Sequence, residues 1–340
     1  MRIGINPEKN NKELDIVNYH RIIIPVYIPH FNDYFKDALE VFKLCLESLL
    51  LTVHTKTRIT IYNNNSHQKV KDYIDKKYED SFLIDQVFHS KENVGKVNAI
   101  LAASKGNLET LITITDADVL FKNGWQKACE DIFINFPEAG MVSPVPLSKL
   151  MYAHAANNWY YGFFKGKLSF QKVLDSEAMH KFDVSLGNDK LQYNNNHLEN
   201  YLVLKNKNKD EAVMGCGHFV ATLKRAVFDK GSNEPAFIKI VGGVENKFID
   251  NPNEDLGFLR LATKENLAFH MGNATEDWMF KELKNLTKED SQGEETNKFN
   301  HRKISKSGRF VGKMILKIVR YKKFNHFFLR KLGLKNPNNY

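Results

Sequence analysis

The chain has 340 residues, of which 42% are hydrophobic and 26% charged, as in soluble globular proteins, and it is long enough for one large domain or two small ones. No apolar run approaches the roughly 20 residues that cross a bilayer, and the N-terminus lacks the hydrophobic core of a secretory signal, so we expect a cytoplasmic protein. Three distant cysteines, Cys45, Cys129 and Cys216, exclude a disulfide framework and a thiolate zinc site, and we expect them to be buried.

The basic residues are concentrated at one end of the chain. The net charge is +9, yet thirteen Lys and Arg residues lie between Lys298 and Lys335, and no acidic residue follows Glu295. The residues before this segment therefore carry a net charge of −4. A mildly acidic body lacks the basic face that nucleic-acid binding requires, so we expect no nucleic-acid partner.

Strand and helix patterns alternate through the first 145 residues. Apolar and β-branched runs predict strands at 21–27, 58–62, 83–88, 111–115 and 140–144, and helical spacing predicts helices at 34–51, 68–77, 97–102 and 124–135. Short connections between such elements are typical of a parallel sheet. Residues 20–145 are therefore predicted to form an α/β nucleotide-binding half.

The fourth predicted strand, Leu111–Thr115, is followed directly by Asp116-Ala117-Asp118. Ligands of open α/β sheets bind at the carboxyl ends of the strands, and two carboxylates there can hold a divalent cation and, through it, a diphosphate. The alternative is a polar turn in which Asp116 caps the next helix. The chain has no G-x-G-x-x-G motif and no P-loop to bind phosphate, which favours the metal-binding interpretation.

The pattern loosens after residue 147. An aromatic cluster at 157–164 suits either a sugar or lipid site or the core, and the polar stretch 194–208 is predicted to be a loop. Further along, the pattern predicts a strand after Val213, a helix at 256–263, a short strand at 267–270 and a linker at 287–297.

Several separated motifs follow one another in a fixed order between residues 20 and 275. They are Ile24-Pro25-Val26-Tyr27, Tyr62-Asn63-Asn64-Asn65-Ser66, Asn93-Val94-Gly95-Lys96, Thr115-Asp116-Ala117-Asp118, Gly215-Cys216-Gly217-His218-Phe219, Gly242-Gly243, and Asn253-Glu254-Asp255-Leu256 with Arg260. Together they resemble the inverting family 2 glycosyltransferases, which have the GT-A fold. The resemblance implies an α/β fold with a Rossmann-like mixed, mostly parallel sheet flanked by helices. It also implies one catalytic domain, 1–296, whose second half, 146–296, binds the acceptor.

The resemblance implies roles for residues of the donor site. Pro25, Tyr27 and Asn63 would line the nucleobase pocket, although many relatives have Asp at the position of Asn63; an Asn amide can still bond a base edge. Lys96 would lie near the nucleotide, the alternative being a solvated lysine at a helix start. Asp116 would contact the donor ribose or the metal ion.

Further roles concern the metal ion and the proton transfer. Asp118 would bind the metal, with Asp116 and His270 as further ligands, and Mn²⁺ or Mg²⁺ suits carboxylate and phosphate oxygens. Asp255 would be the catalytic base. The alternatives are that His270 is a buried core histidine and that Asp255 caps the following helix.

The implied function is a metal-dependent inverting glycosyltransferase of the hexosyltransferase type. It would move a single sugar from a nucleotide-diphosphate-sugar, with a UDP-sugar as first candidate, to a glycan or lipid-linked acceptor in cell-surface polysaccharide synthesis. The sequence lacks the Q-x-x-R-W motif typical of processive synthases, which favours transfer of one sugar. Two other functions stay open: a nucleotidyltransferase with the same Asp-x-Asp metal site, and a non-catalytic membrane-bound sugar-nucleotide-binding protein.

The basic C-terminal tail, residues 297–340, has an amphipathic pattern. Phe310, Met314, Ile315, Ile318 and Val319 recur at helical spacing, with Lys and Arg residues between them. This pattern is typical of a helix on an anionic membrane surface. We therefore expect peripheral attachment to the inner face of the cell membrane, and a C-terminal helix packed on the body is the alternative.

Overall fold

The computed structural model describes the chain except residues 2, 7–8, 10–13, 15, 188–192, 240–243 and 295–297. The predicted Gly242-Gly243 loop lies outside the described residues. The strands are β1 (His20–Val26), β2 (Thr57–Asn64), β3 (Ile84–Ser90), β4 (Leu111–Thr115), β5 (Val119–Phe121), β6 (Ala139–Ser143), β7 (Lys167–Lys172), β8 (Asn200–Lys205), β9 (Glu211–Val213), β10 (Val220–Lys224), β11 (Leu259–Ala262) and β12 (Ala268–His270).

The helices alternate with the strands through the first half of the chain. They are α1 (Ala38–Thr52), α2 (Gln68–Asp80), α3 (Lys96–Lys105), α4 (Trp125–Asn135), α5 (Ala156–Phe164), α6 (Ser176–Ser185), α7 (Asn195–Glu199), α8 (Ala226–Lys230), α9 (Asn251–Asp255), α10 (Asp277–Asn285), α11 (Lys306–Arg320) and α12 (Lys322–Lys331). The segment Asn246–Asp250 before α9 forms a turn of π-helix.

Ten strands of the described chain form one sheet in the order β3-β2-β1-β4-β10-β6-β11-β9-β8-β7. The first four are mutually parallel, and β6 and β11 run in the same direction. Only β10, β9 and β7 are reversed, so seven of these ten strands point one way. Helices cover both faces: Ile22 and Ile24 of β1 pack in the core with α1, whereas Ile23 packs with α3. This arrangement confirms the predicted fold class.

The topology gathers several strand ends at one edge of the sheet. β1, β2 and β4 are parallel neighbours, so the residues that follow their carboxyl ends meet at the same edge. β10 runs antiparallel to β4, with Val220 opposite Thr115, and therefore begins at that edge. The two-stranded sheet of β5 and β12 adds His270 opposite Val119.

Two predicted elements differ in the structure. The predicted helix at 256–263 is strand β11, because Gly257, with φ of 84°, ends α9, and the following residues pair with β6 in the buried centre of the sheet. The predicted loop at 194–208 contains α7 and β8. Its Asn-rich composition hid a short apolar run, Tyr201–Leu204, which is completely buried.

The basic tail packs on the body through one side of α11. Gly308 and Gly312 lie against α5, where a Cβ at Gly312 would collide with the Ala156 carbonyl oxygen. Val319 on the same side is buried. The sequence predicted a single apolar stripe, but the structure divides it. Phe310, Met314 and Ile318 are exposed on another side of the helix.

The structure also shows where the cysteines and the aromatic cluster lie. Cys45, Cys129 and Cys216 are free and buried, as predicted. The aromatic cluster at 157–164 forms α5, in which Trp159 is completely buried and Phe164 is exposed. No helix in the described parts of the chain has the length and apolar character needed to span a bilayer.

Candidate donor and metal site

A cavity of about 440 Å³ opens where the strands end. Five residues predicted from the sequence line it: Pro25, Tyr27, Lys96, Asp116 and Asp118. Pro25 belongs to β1, Lys96 begins α3, and the two Asp residues follow β4, so the cavity lies where an open α/β sheet binds its ligand. The structure therefore brings together residues that are up to 93 positions apart in the sequence.

Asp118, which lines the cavity, faces His270, which is not among the lining residues. The antiparallel pair β5–β12 continues into a hydrogen bond of 2.8 Å, which the Met271 amide donates to the Asp118 carbonyl oxygen. This pairing leaves 3.5 Å between His270 Nε2 and Asp118 Oδ2. The other ring nitrogen, Nδ1, lies 2.8 Å from Ser185 Oγ, a contact that fixes the ring orientation as in many metal sites.

Asp118 has a carboxylate oxygen without a partner. Its side chain is 30% exposed, but Oδ1 is buried and has no hydrogen bond to any described residue. Burial raises the pKa of Asp118, and the charge of Asp116 acts in the same direction, against the lowering effects of His270 and Lys96. A buried anionic oxygen without a partner is costly, so a carboxylate and an imidazole placed together fit a divalent cation.

Asp116 is engaged differently from Asp118. Its Oδ1 lies 2.5 Å from Lys96 Nζ, and that nitrogen lies 3.4 Å from Glu245 Oε1. Burial alone lowers the pKa of Lys96, but the charges of Asp116 and Glu245 outweigh it, so the pKa is raised and the lysine is charged. Lys96 is held in this position by Gly95, whose φ of 85° makes the turn into α3. Lys96 thus begins α3 and is paired with carboxylates, and its contact with a nucleotide stays a prediction.

The structure corrects the placement of Asn63. Asn63 is not among the residues that line the cavity. Asn63 is 3% exposed and bonds within the protein: its amide nitrogen lies 2.9 Å from His89 Nδ1, and its oxygen accepts from the Ser66 amide at 2.9 Å. Asn64 lines the cavity instead.

Asp255 is likewise not among the residues that line the cavity. It is exposed at the end of α9, and its carbonyl oxygen accepts a hydrogen bond from Arg309 of the tail helix α11. Because it ends a helix, it does not cap the start of one. Its neighbour Glu254 accepts from the Ala156 amide at 2.8 Å. The catalytic role of Asp255 stays a prediction.

Some residues of the site carried no clear signal in the sequence. Tyr34 and Glu245 both line the cavity, and burial together with the charge of Asp118 raises the pKa of Tyr34. His218 lies at the same sheet edge, within a motif already singled out, and contacts the buried Asp250. Glu245 follows the Gly242-Gly243 motif closely in the sequence, and this proximity could have marked it as a candidate. Sequence spacing alone does not show which acidic residue faces the cavity.

A second group of histidines and carboxylates lies away from the cavity. Among the described residues, His20, His54 and Glu130 have ligand atoms within 4.8 Å of one another and are all buried. We call these three residues the buried cluster, and we call Asp116, Asp118, His270 and Lys96 the strand-end cluster. In the buried cluster every carboxylate oxygen is bonded: Glu130 Oε1 lies 2.7 Å from His20 Nδ1, and Oε2 accepts from the Tyr19 hydroxyl at 2.9 Å.

No protein-family model and no curated protein matches this sequence. Solved structures similar to this one include a mannosyltransferase, PcManGT from Pyrobaculum calidifontis, in complex with GDP-Man and Mn²⁺. The two sequences are 14% identical, the TM-score is 0.43, and the match covers 77% of this chain and 61% of that one. Residues 1–349 of S. aureus TarS in complex with UDP-GlcNAc are 12% identical with a TM-score of 0.45, covering 92% of this chain and 76% of that one. This chain thus spans less than two thirds of PcManGT. TM-scores below 0.5 do not assign a function, so the proposals below rest on the side chains of this protein.

Proposed function

We propose that this protein is a metal-dependent inverting glycosyltransferase, which transfers one sugar from a nucleotide-diphosphate-sugar to a glycan or lipid-linked acceptor. The observation that carries the proposal is the strand-end cluster: Asp118 has a buried oxygen without a partner, faces His270, and lines a cavity at the carboxyl ends of parallel strands. A UDP-sugar is the first donor to test.

The cavity lining combines apolar and charged groups that suit such a donor. Pro25 and Tyr27 would offer flat apolar contact for a nucleobase, and Asn64 is also part of the lining. Asn64 Nδ2 donates to Asn93 Oδ1 at 2.9 Å, which leaves its second N–H for a base edge. Lys96 and Asp118 provide the charges that a diphosphate and its cation require.

Each charged residue has a distinct task in this proposal. Asp118 and His270 would hold Mn²⁺ or Mg²⁺, which as a Lewis acid stabilises negative charge on a leaving diphosphate. Lys96 would place a second positive charge at the diphosphate, exchanging part of its contact with Asp116. Asp116, released from Lys96, would accept a hydrogen bond from the ribose or join Asp118 as a ligand.

The function is tested with the intact chain and a panel of nucleotide-sugars: UDP-glucose, UDP-galactose, UDP-N-acetylglucosamine and GDP-mannose. We expect one donor to raise the melting temperature only when Mn²⁺ is present, and to be slowly hydrolysed with release of the nucleoside diphosphate. Asp118→Ala should lose both effects. If no donor acts on the parent protein, or if Asp118→Ala responds equally, the proposal is wrong.

The basic tail supports the part of the proposal that concerns a lipid-linked acceptor. α11 uses Gly312 and Val319 to pack on the body, so Phe310, Met314 and Ile318 remain exposed at four-residue spacing. Lys313, Lys317 and Arg320 lie along one flank of this exposed stripe. An exposed apolar stripe flanked by cations is complementary to an anionic lipid surface, and we propose that it attaches the enzyme to the inner face of the cell membrane, where lipid-linked acceptors are found.

The attachment is tested by replacing Phe310, Met314 and Ile318 with Ser, because deleting the tail would uncover the body beneath α11. Sedimentation with phosphatidylglycerol–phosphatidylcholine vesicles should fall at least about tenfold, since each apolar side chain contributes on the order of 1.5–3 kcal/mol when buried. Phe82→Ser, at an exposed phenylalanine on the body, is the matched control. Equal sedimentation of the triple variant and the parent would overturn the attachment.

A further inference from the structure

We infer that His218, oriented by Asp250, is the residue that removes the proton from the acceptor hydroxyl. This inference rests on the proposed glycosyl transfer, and it names a catalytic base other than Asp255.

His218 lies at the edge of the sheet where the donor cavity opens. It is two residues before β10, and the intervening residue, Phe219, uses its carbonyl oxygen to accept a hydrogen bond of 2.8 Å from the Asp116 amide. The Phe219 ring also packs against His270. His218 is therefore one residue from backbone contact with the strand-end cluster, and its side chain, which is 30% exposed, can be reached from solvent.

The contact with Asp250 decides which ring nitrogen is available. His218 Nδ1 lies 3.0 Å from Asp250 Oδ2, and Asp250 is completely buried. Burial alone raises the pKa of Asp250, but Arg260, whose Nη2 is 3.1 Å from Oδ1, and His218 lower it overall, so this carboxyl is ionised. A carboxylate only accepts hydrogen bonds, so Nδ1 carries the hydrogen and neutral His218 has its lone pair on Nε2.

Nε2 of His218 has no hydrogen-bond partner in the described part of the chain. A half-exposed imidazole with a free lone pair, held by a buried carboxylate, has the orientation that proton removal requires. Neither His218 nor Asp255 is among the residues that line the cavity, but His218 adjoins Phe219, which bonds Asp116, whereas Asp255 is next to the tail helix α11. Asp250 does not contact substrate, so its role is to position His218 and to stabilise the imidazolium that forms.

The proposed transfer step begins with attack by the acceptor hydroxyl. Oxygen of the acceptor hydroxyl forms a bond to the anomeric carbon, and the bond from that carbon to the diphosphate oxygen breaks. The hydroxyl proton passes to His218 Nε2, and the electron pair of the broken bond leaves with the nucleoside diphosphate. The imidazolium then returns its proton to solvent, for which the exposed part of the ring provides access.

The inference is tested on the intact chain with Mn²⁺ and the donor selected by the panel, by following nucleoside diphosphate release with water as acceptor. His218→Ala should lower kcat by about 10²–10⁴-fold, the usual contribution of a general base, with an unchanged donor Kd. Added imidazole should restore part of the rate, because a free base can occupy the space left by the ring. A merely structural histidine would not be rescued in this way.

Three further variants complete the test. If His218→Ala fails to fold, His218→Asn, which retains a donor toward Asp250, takes its place and should show the same loss of kcat. His180→Ala, at an exposed histidine on α6, is the matched control and should keep the parent rate. Asp255→Asn should also keep it; if Asp255→Asn is inactive and His218→Ala is not, Asp255 is the base and the inference is wrong.

The positioning role of Asp250 has its own readout, which does not depend on turnover. In ¹⁵N NMR spectra of the parent protein at neutral pH, His218 should be the Nδ1–H tautomer, and Asp250→Asn should shift the tautomer ratio and slow the reaction without weakening donor binding. An Nε2–H tautomer in the parent would overturn the assignment. If the parent protein binds no donor at all, the proposed function fails first; if it turns over a donor and His218→Ala does so equally, only the assignment of His218 fails.

Discussion

The buried cluster and the strand-end cluster contain the same kinds of side chain in opposite states. Glu130 in the buried cluster is 1% exposed, and Tyr19, His20 and His54 surround its carboxylate with hydrogen bonds of 2.7–3.0 Å. Asp118 in the strand-end cluster has one oxygen that is buried without a partner. The buried cluster is thus complete within the protein, whereas the strand-end cluster needs something from outside.

The pKa directions agree with this difference. Burial alone raises the pKa of Glu130, but the hydrogen bonds from His20 and His54 lower it to about 2. Burial also raises the pKa of Asp118, and there the protein supplies too little compensation, so the pKa stays raised. Histidines and carboxylates that lie close together are therefore not in themselves a metal site; an unsatisfied oxygen beside a cavity is the more useful sign.

The largest expected effect comes from removing the charge of Asp118. Asp118→Asn should lower donor turnover by about 10³-fold and abolish the Mn²⁺-dependent rise in melting temperature, because the unpartnered oxygen is the proposed metal ligand. Without metal, its melting temperature should not fall below that of the parent, because burial opposes the charge of Asp118 more than His270 and Lys96 favour it. Thermal unfolding with and without Mn²⁺ measures both.

Asp116→Asn is the matched control for this prediction. Asp116 is paired with Lys96, so its amide variant should weaken Mn²⁺ binding less than Asp118→Asn. An equal or larger loss with Asp116→Asn would mean that both carboxylates hold the ion and that the proposed difference between them does not exist.

The second effect should appear in the buried cluster and only in stability. Glu130→Gln should lower the free energy of unfolding by about 3 kcal/mol, because it removes the charged acceptor of several buried hydrogen bonds, while turnover per folded molecule stays unchanged. Urea unfolding at pH 7 measures the loss, with Glu79→Gln at an exposed site of α2 as control. A stable but inactive Glu130→Gln would instead make the buried cluster part of the active site.

The same cluster predicts how stability depends on pH. The pKa of Glu130 is about 2 when folded, below its ordinary 4.5, so its contribution is present above pH 4.5 and is lost as the pH falls toward 2. Burial lowers the pKa of His20, so the unfolded chain takes up a proton below its ordinary pKa of 6.5 before the folded one does. Both groups destabilise the fold in acid, and Glu130→Gln should flatten the dependence below pH 4.5.

The smallest effect concerns the support of His270. Ser185→Ala removes the contact at Nδ1 and should weaken Mn²⁺ binding by about tenfold without changing the melting temperature of the metal-free protein. Calorimetric titration with Mn²⁺ measures it, and Ser81→Ala, at the end of α2, is the control. Unchanged Mn²⁺ affinity would indicate that His270 belongs to the core and not to the metal site.

The sequence predicted the strands and helices of residues 20–145 closely. Leu111–Thr115 is the buried strand that its β-branched pattern indicated, and Asp116 and Asp118 follow it at the edge of the sheet. Pro25, Tyr27 and Lys96 line the same cavity. Local patterns sufficed here because a parallel sheet with short connections brings successive strand ends to one edge, whatever the details of packing.

The second half was harder to predict because its elements depend on distant partners. Leu259–Ala262 looks helical by spacing, yet it becomes a strand through pairing with β6, more than 110 residues earlier. Tyr201–Leu204 becomes a buried strand between β7 and β9 for the same reason. Strand pairing with distant residues overrides local secondary-structure propensity. A segment of four residues is too short to show a sequence periodicity that would predict it.

What the sequence by itself determined is which chemical groups are present and on which strand ends they stand: two carboxylates after β4, a lysine at the start of α3, and an amphipathic basic tail. Only the tertiary structure decided which of them meet. The pairing of β5 with β12 brings His270 to Asp118, the cavity is lined by Asn64 and not by Asn63, and the π-helical turn before α9 places Asp250 beside His218. These contacts join residues far apart in the chain, so their distances follow from the packing of the whole sheet and not from any local pattern.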